Sequence, residues 1–201
     1  MKKLIIITGA SSGMGVEFAK QLYVSAQADE MWLIARRKDK LETLCSELKQ
    51  SSPSVIHRLI PRAVELDISG KSGAVCVREM LKTETAQTPG GISIEILINN
   101  AGFGTYGTFE NTSTEREMDM IELNCTTLTG ICGYALPYMH SGSSLINVAS
   151  LAAFMPLGNF AVYGATKAYV LSFTTALAAE VTETGIKVTA LCPGSVSTEF
   201  A

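Results

Sequence analysis

The feature that most constrains the fold is a regular alternation of short apolar runs with longer helical patterns. The runs are rich in β-branched residues and several are almost continuously apolar, which is typical of parallel strands covered on both faces. The predicted strands are residues 4–8, 31–35, 63–67, 95–99, 144–149 and 187–192. The predicted helices between them are residues 13–27, 38–51, 70–86, 114–139 and 163–183. Strands and helices in alternation predict an α/β fold with a doubly wound parallel sheet of six strands.

Length and composition predict one globular domain over residues 1–201. A chain of 201 residues holds one substantial core, and 47% hydrophobic with 17% charged residues suits elements that are buried on both faces. No segment reaches the roughly 20 apolar residues of a membrane span. The apolar run after the two N-terminal lysines has four residues before Thr8, too few for a signal peptide. We therefore expect a soluble, cytoplasmic protein without a membrane partner.

Several classes of function lack their usual residues. The net charge of −3 and the absence of a basic stripe argue against a nucleic-acid partner. The five cysteines are scattered without a C-x-x-C pair, which indicates reduced and packed thiols. The two histidines, His57 and His140, are far apart in sequence. We therefore expect neither a metal site nor a Ser-His-Asp triad.

The first strand runs directly into TGASSGMG, which places Gly9, Gly13 and Gly15 at a strand-to-helix turn. Glycines let the backbone turn sharply and lie against a pyrophosphate, whose charge then meets free N–H groups at the start of a helix. The spacing G-x-x-x-G-x-G differs from the common dinucleotide fingerprint, and a ligand-free tight turn is the alternative. Its place between a strand and a helix favours a dinucleotide site.

The end of the second predicted strand indicates which dinucleotide is bound. An NAD-preferring site carries an acidic residue about 20 residues after the glycines, where it binds the ribose hydroxyl. This chain has Ala35, Arg36 and Arg37 there, and guanidinium groups suit a 2′-phosphate. NADP(H) is therefore favoured over NAD(H), although two arginines in a loop are also common on a solvated surface.

The stretch YGATK opens the last predicted helix. Residues four apart lie on the same face of a helix, so the phenol of Tyr163 and the ammonium of Lys167 are expected to be neighbours. Alone, this spacing is a weak signal that many helices contain by chance.

With TGASSGMG and YGATK together, the chain resembles the classical short-chain dehydrogenase/reductase family, whose fold is a Rossmann-type sheet. The resemblance extends over essentially all of the chain through seven motifs in order, among them NNAG at 99–102 and PGSVST at 193–198. It implies four catalytic residues, which are Asn124, Ser150, Tyr163 and Lys167. It also implies that the cofactor lies against Gly9, Ser11, Ser12, Gly13, Met14, Gly15, Arg36, Arg37, Asp67, Ile68, Asn99, Ala101, Gly102, Tyr163, Lys167, Pro193, Gly194, Val196 and Thr198.

The implied activity is NADP(H)-dependent interconversion of a carbonyl and an alcohol. Tyr163 is the expected proton donor, and Lys167 is expected to lower its pKa and to hold the nicotinamide ribose. Ser150 is expected to polarise the substrate oxygen, and Asn124 to support a water that connects Lys167 to solvent. Asp67 is expected at the adenine ring, with capping of the next helix as the alternative. A non-catalytic NADP(H) sensor is the alternative function.

The substrate, the oligomeric state and the C-terminus are less well determined. The segments that follow NNAG and Ser150 offer an apolar pocket for a small hydrophobic carbonyl or alcohol, with ordinary core packing as the alternative. The apolar helices at 114–139 and 163–183 are expected to form a homodimer or a higher homo-oligomer, unless both are simply buried within one subunit. Members of the family usually continue with a helical lid and a seventh strand, so we expect a truncated form of a longer protein.

Overall fold

The computed structural model describes residues 1–51 and 59–194. Within these ranges the strands are β1 (Lys2–Thr8), β2 (Glu30–Ala35), β3 (Ile60–Glu65), β4 (Ile92–Asn99), β5 (Ser144–Val148) and β6 (Lys187–Leu191). The α-helices are α1 (Gly13–Ser25), α2 (Lys38–Ser51), α3 (Gly70–Gln87), α4 (Thr114–Ile121), α5 (Leu128–Ala135) and α6 (Ala161–Glu180). The six strands form one parallel sheet in the order β3-β2-β1-β4-β5-β6. The predicted α/β fold with a doubly wound parallel sheet is confirmed.

Both faces of the sheet are covered, which explains the nearly unbroken apolar runs. In β1, Leu4 and Ile6 lie in a core cluster with side chains of α3, α5 and α6. Ile5 and Ile7 point to the opposite face and pack with α1 and α2, where Met14 joins the edge of that cluster. Successive side chains of a strand point to opposite faces, so an apolar run is the pattern that a strand covered on both sides requires.

Strand β3 begins three residues before the predicted start at 63. It lies at one edge of the sheet, where the missing N–H of Pro61 is tolerated. Arg62 interacts with Glu30 at 3.2 Å and Glu84 at 3.1 Å, and its guanidinium lies 5.3 Å from the Trp32 ring centroid. The early start of β3 is stabilised by these contacts of Arg62 with neighbouring elements.

The predicted helix at 114–139 is interrupted in the middle. A π-helical turn, Glu122–Thr127, separates α4 from α5, and a short 3-10 turn, Leu136–Tyr138, follows α5. Such turns insert an extra residue into the helical repeat and often lie at functional sites. Asn124, a predicted catalytic residue, lies within this π turn.

The order of the strands determines where a ligand can bind. The chain moves outward on one side from β1 to β2 and β3, and on the other side from β4 to β5 and β6. The loops after β1 and β4 therefore diverge, and in open α/β sheets the crevice between them at the carboxyl ends of the strands is the usual ligand site. In the two described ranges, no helix is long and apolar enough to cross a membrane.

Candidate active site

The loop between β1 and α1 packs closely against the loop after β4. Gly9 and Gly13 have left-handed φ angles of 66° and 54°. A Cβ atom at Gly9 would lie 2.8 Å from the Cα atom of Ala101, and one at Gly15 would lie 2.2 Å from the Gly9 carbonyl oxygen. These positions therefore require glycine. Helix α1 begins directly after Ser12, whose side chain makes no capping hydrogen bond, so the first N–H groups of the helix face the loop uncapped.

Asn100 fixes this junction and was not among the predicted site residues. Its Nδ2 donates to the carbonyl oxygens of Thr8 at 3.0 Å and Gly9 at 3.1 Å. The Thr8 hydroxyl accepts hydrogen bonds from the backbone N–H groups of Asn100 and Ala101, each at 3.0 Å. Asn100 directly follows β4, so it lies at the same carboxyl end of the parallel sheet as the glycine loop, and this position was the signal in the sequence.

Asn99 was predicted to bind the cofactor, but its side chain is buried in the protein. Its amide donates to Oδ1 of Asn147 at 2.9 Å and to Sγ of Cys132 at 3.2 Å. Asn147 in turn donates to the Thr174 hydroxyl at 2.9 Å. Asn99 is the last residue of β4, and the strand alternation turns its side chain under α5 and α6. The Asn99 side chain thus connects β4 to β5 and α5 rather than facing the crevice.

Arg37 connects the end of β2 to the glycine loop. Its Nε and Nη2 atoms donate to the Ser11 hydroxyl at 3.2 and 3.0 Å. Arg36 and Arg37 are both exposed. The structure therefore brings one of the two predicted phosphate-binding arginines into direct contact with the loop that is expected to hold the pyrophosphate.

Asp67 and Ile68 are engaged in the turn that precedes α3. The Asp67 carboxylate accepts hydrogen bonds from the Ser69 hydroxyl at 2.7 Å and the Ser69 N–H at 3.0 Å. These bonds lower the pKa of Asp67, and the nearby Arg36 adds a smaller effect in the same direction. These bonds close the turn before α3, but Asp67 does not cap the helix, since the N-cap residue is Ser69 and no side chain makes a capping hydrogen bond there. Contact of Asp67 with an adenine ring stays a prediction. The Ile68 side chain is buried, and its carbonyl accepts from the Thr127 hydroxyl at 2.7 Å.

The segment after β6 lies beside the turn that follows β5. The Pro193 carbonyl accepts a hydrogen bond from the Leu151 N–H at 3.0 Å. A Cβ atom at Gly194 would lie 3.4 Å from the Leu151 side chain. Val196 and Thr198, also predicted to bind the cofactor, lie outside the described residues.

Ser150, Tyr163 and Lys167 meet beyond the carboxyl end of β5. The Ser150 hydroxyl accepts from the Ala152 N–H at 3.1 Å and is hydrogen-bonded to the Tyr163 phenol. Lys167 lies one turn further along α6 and is only 5% exposed. Its Nζ donates to the Val148 carbonyl at 2.8 Å and lies 5.8 Å from the Tyr163 ring centroid. The structure therefore brings together three of the four predicted catalytic side chains.

Burial dominates the acid–base properties of this group. It raises the pKa of Tyr163, and the hydrogen bond with Ser150 acts in the opposite direction. Burial also lowers the pKa of Lys167 from 10.5 to about 8, while Cys125 and Cys192 nearby act to raise it. We expected Lys167 to lower the Tyr163 pKa. The structure differs because desolvation of the phenol outweighs its stabilising contacts.

Asn124, the fourth predicted catalytic residue, holds the loop after β4. Its Oδ1 accepts from the Phe103 N–H at 3.1 Å, and its Nδ2 donates to the Phe103 carbonyl at 2.9 Å and to the Thr166 hydroxyl at 3.1 Å. A Cβ atom at Gly102 would lie 2.8 Å from Asn124 Oδ1 and 3.6 Å from Lys167 Nζ. Asn124 thus lies beside Lys167 with its amide bound to protein groups. Its support of a water stays a prediction.

Aromatic rings surround the phenol on one side. The Phe160 ring centroid lies 5.7 Å from that of Tyr163 and 5.1 Å from that of Tyr106. Phe154 and Met155, in the loop before α6, are both exposed. Phe160 therefore lies near the phenol ring, and two other side chains of the predicted apolar segments are open to solvent.

Phe103 is shielded on one face. The guanidinium carbon of Arg116 lies 3.7 Å from the centroid of the Phe103 ring. Arg116 is an exposed residue of α4 that the sequence reasoning did not single out. Its attraction to an aromatic face is a cation–π contact.

The matches to known proteins agree with this geometry. Residues 3–201 match the family model described as short chain dehydrogenase. The chain belongs to the short-chain dehydrogenase/reductase family. A relative from Staphylococcus epidermidis, named an uncharacterized oxidoreductase, is 33% identical over 199 residues, which are 98% of this chain and 79% of the relative. Membership in the short-chain dehydrogenase/reductase family confirms the predicted resemblance and makes the chain an NAD(P)-dependent dehydrogenase/reductase.

Two solved structures show the same fold. A short-chain dehydrogenase from Sphingobium yanoikuyae in complex with NADPH has a TM-score of 0.82 at 29% identity, covering 100% of this chain and 73% of the other. The bulky-bulky ketone specific alcohol dehydrogenase from Comamonas testosteroni has a TM-score of 0.81 at 27% identity, covering 98% of this chain and 74% of the other. The Rossmann-type sheet is therefore shared with dehydrogenases of known structure.

Proposed function

We propose that the chain is an NADP(H)-dependent oxidoreductase that interconverts a carbonyl and an alcohol, with Tyr163 as the general acid and base. The observation that carries the proposal is the convergence of the Ser150 hydroxyl, the Tyr163 phenol and the buried Lys167 ammonium. This group and the glycine loop both lie at the carboxyl ends of the parallel strands. Carbonyl reduction needs a proton donor and a polarising hydrogen bond beside a bound nicotinamide, and these side chains supply the first two.

The glycine loop fits a dinucleotide. Added Cβ atoms at Gly9 or Gly15 would clash with backbone atoms, and the uncapped start of α1 presents N–H groups beside the loop. Both features suit a pyrophosphate group. Arg37 would hold a 2′-phosphate together with Arg36, since its guanidinium already contacts Ser11 of the loop. The NADPH complex of the Sphingobium yanoikuyae relative supports this preference.

The chain's own residues supply the proton chemistry. When bound, the nicotinamide supplies or accepts the hydride. Tyr163 gives its proton to the developing alkoxide, and the Ser150 hydroxyl donates a hydrogen bond to the same substrate oxygen. The phenol of Tyr163 is protonated near neutral pH, because the ordinary pKa of tyrosine is about 10 and burial raises the pKa further, so it can act as the proton donor in carbonyl reduction. With a pKa of about 8, Lys167 is mainly a cation at pH 7 and stabilises the phenolate that remains.

The proposed substrate is a hydrophobic or aromatic ketone or aldehyde, or the corresponding alcohol. Exposed apolar side chains at Phe154, Met155 and Leu157 lie in the loop before α6, and the exposed Tyr106 packs on Phe160, which in turn lies near the Tyr163 ring. Apolar surface beside a few polar groups is typical of a small-molecule site. The Comamonas testosteroni relative, which is named for its specificity for bulky-bulky ketones, supports this substrate class.

We also propose that α6 contributes to a homodimer. Val170 and Leu177 are buried in the core, whereas Ala168 and Ala176 are exposed on the other side of the helix. A shallow groove runs along that exposed side and includes Leu171. Small side chains allow two helices to approach closely across a twofold axis. Sedimentation as a monomer at micromolar concentration would contradict this proposal.

Cofactor titration tests the first half of the proposed function. Fluorescence titration of the purified chain is expected to show tighter binding of NADPH than of NADH. The preference should be lost in Arg36→Ala and Arg37→Ala. Arg78→Ala, in a half-buried arginine of α3 that pairs with Glu79, is the control and should bind NADPH like the wild type. Equal binding of both cofactors by the wild type would contradict the NADP(H) assignment.

A carbonyl panel tests the second half. With NADPH present, aromatic and aliphatic ketones and aldehydes are screened by loss of the reduced-nicotinamide absorbance. Oxidation of NADPH by at least one hydrophobic carbonyl is expected. Binding of NADPH without turnover of any carbonyl would support the alternative function, a non-catalytic sensor. The intact group of Ser150, Tyr163 and Lys167 argues against that alternative.

A further inference from the structure

Glu117 of α4 is a buried acidic residue that the proposed chemistry does not use. Its side chain belongs to a residue that is only 5% exposed, and the Thr105 hydroxyl donates to its Oε1 at 2.5 Å. Carboxylates are almost never fully buried unless a partner compensates for lost hydration. A small cavity of about 10 Å³ borders both residues and is also lined by Gly107, Thr112 and Asn159.

Thr105 belongs to the loop that packs on the proposed proton donor. A Cβ atom at Gly104 would lie 2.9 Å from Cδ2 of Tyr163, so the loop backbone touches the phenol ring directly. Asn124 holds Phe103, the residue before Gly104, by both its N–H and its carbonyl. Glu117 holds Thr105, the residue after it. Two side chains from one helical segment therefore fix the loop on either side of its contact with Tyr163.

The same loop is also joined to the segment that precedes α6. The Gly107 N–H donates to the Asn159 carbonyl at 3.0 Å, and Asn159 has a left-handed φ of 63°, which is uncommon for a residue other than glycine. The Tyr106 ring packs edge-on against Phe160 with centroids 5.1 Å apart. Left-handed non-glycine residues concentrate where surrounding contacts hold a functional loop in place. The loop thus bridges α4 and the start of α6.

We propose that Glu117 is a positioning residue that acts through Thr105. The pair holds the backbone at Gly104 against the Tyr163 ring and so fixes the direction of the phenol toward the substrate oxygen. This inference rests on the proposed function, because the orientation of the Tyr163 phenol affects the rate only if Tyr163 transfers a proton. An error of about 1 Å in the position of a catalytic group can lower a rate about 100-fold.

The test removes the hydrogen bond with little change in shape. Thr105→Val deletes the donor, Thr105→Ser restores a hydroxyl, and Glu117→Gln keeps an acceptor oxygen. Thr112→Val is the matched control, because Thr112 lines the same cavity but its hydroxyl donates to the Phe109 carbonyl. Each variant is assayed for kcat and KM with a hydrophobic ketone and for the Kd of NADPH. Amide hydrogen exchange of residues 103–107 is measured in parallel and does not depend on activity.

Thr105→Val is expected to lower kcat by roughly 10- to 100-fold while KM and the Kd of NADPH change by less than about threefold. Thr105→Ser, Glu117→Gln and Thr112→Val should keep kcat within about threefold of the wild type. Exchange at residues 103–107 should become faster in Thr105→Val alone. Together these results would separate positioning of Tyr163 from general loss of stability.

Three results would overturn the inference. These are an unchanged kcat in Thr105→Val, an equal loss in Thr112→Val, and a loss of kcat that follows weaker NADPH binding. If the wild type neither binds NADPH nor reduces a carbonyl, the proposed function is wrong. Amide hydrogen exchange alone then tests whether the Thr105–Glu117 hydrogen bond holds the loop in place. Unchanged exchange at residues 103–107 in Thr105→Val would then overturn it, and faster exchange would support it.

Discussion

Replacing Lys167 with methionine is expected to abolish turnover and yet stabilise the fold at neutral pH. Lys167 is 5% exposed, and burial lowers its pKa from 10.5 to about 8. At about 1.4 kcal/mol per pH unit, keeping this ammonium charged inside the protein costs about 3 kcal/mol at any pH below 8. Methionine has a similar length and no charge. It leaves the Val148 carbonyl without its donor, which costs about 2 kcal/mol. The variant should therefore be more stable by about 1 kcal/mol at pH 7.

The pH dependence gives the sharper form of this prediction. Between pH 8 and 10.5 the unfolded chain holds a proton on Lys167 that the folded chain has released, so wild-type stability rises with pH through this window. Lys167→Met lacks this rise. The difference in the free energy of unfolding between the wild type and the variant should change by about 3 kcal/mol from pH 8 to 10.5 and reverse its sign. The variant should then be about 2 kcal/mol less stable than the wild type at the alkaline end.

Urea unfolding at several pH values from 7 to about 10.5 measures this difference. The single tryptophan, Trp32, is completely buried and reports unfolding by its fluorescence. Cys125 and Cys132, whose pKa values burial raises to about 11 and about 12, lower stability at alkaline pH in both proteins, so subtraction removes most of their effect. Lys20→Met, at an exposed lysine of α1, is the matched control. A difference that stays constant with pH, or a variant that is less stable at pH 7, would refute the reasoning.

Three further predictions concern other parts of the molecule. Gly15→Ala should prevent stable folding or cofactor binding, because its Cβ would lie 2.2 Å from a backbone carbonyl oxygen of the first loop; an unchanged melting temperature and NADPH affinity would contradict this. Gly104→Ala should lower kcat by displacing the ring of the proposed proton donor, from which its Cβ would lie 2.9 Å, and steady-state kinetics measure this loss. Hydrogen bonds to a backbone carbonyl and to Glu95 raise the pKa of His140. The protonated imidazole should therefore stabilise the fold fully below pH 6.5, and this contribution should be lost as the pH rises above 6.5. The melting temperature of His140→Gln should lack this pH dependence.

Much of the fold could be predicted because each strand run reflects a local constraint. Side chains alternate between faces, so the apolar run of β1 required cover on both sides of the sheet, which the two core clusters provide. Tyr163 and Lys167 could be paired because the spacing of four residues fixes neighbours on any helix. By contrast, the start of β3 depends on the ion pairs of Arg62 with Glu30 and Glu84. These partners lie on other elements, so no local sequence pattern indicates them.

The details of the site depended on contacts between distant parts of the chain. The π turn around Asn124 arises where the helix packs on the loop after β4 and on α6, and the sequence there has the apolar spacing of an ordinary helix. Glu117 resembles a surface charge in sequence, yet Thr105 from that loop covers it. The raised pKa of Tyr163 likewise depends on how deeply the phenol is buried, which spacing alone does not determine.

The most direct test of the central claim is the rate of NADPH-dependent carbonyl reduction in Tyr163→Phe. Tyr169→Phe is the matched control, since Tyr169 lies on the same helix with its hydroxyl bound to Thr129 at 2.8 Å. Tyr163→Phe should bind NADPH like the wild type and lose carbonyl reduction by a factor of about 100 or more, while Tyr169→Phe keeps both. Carbonyl reduction in Tyr163→Phe at the wild-type rate would contradict the assignment of Tyr163 as the proton donor.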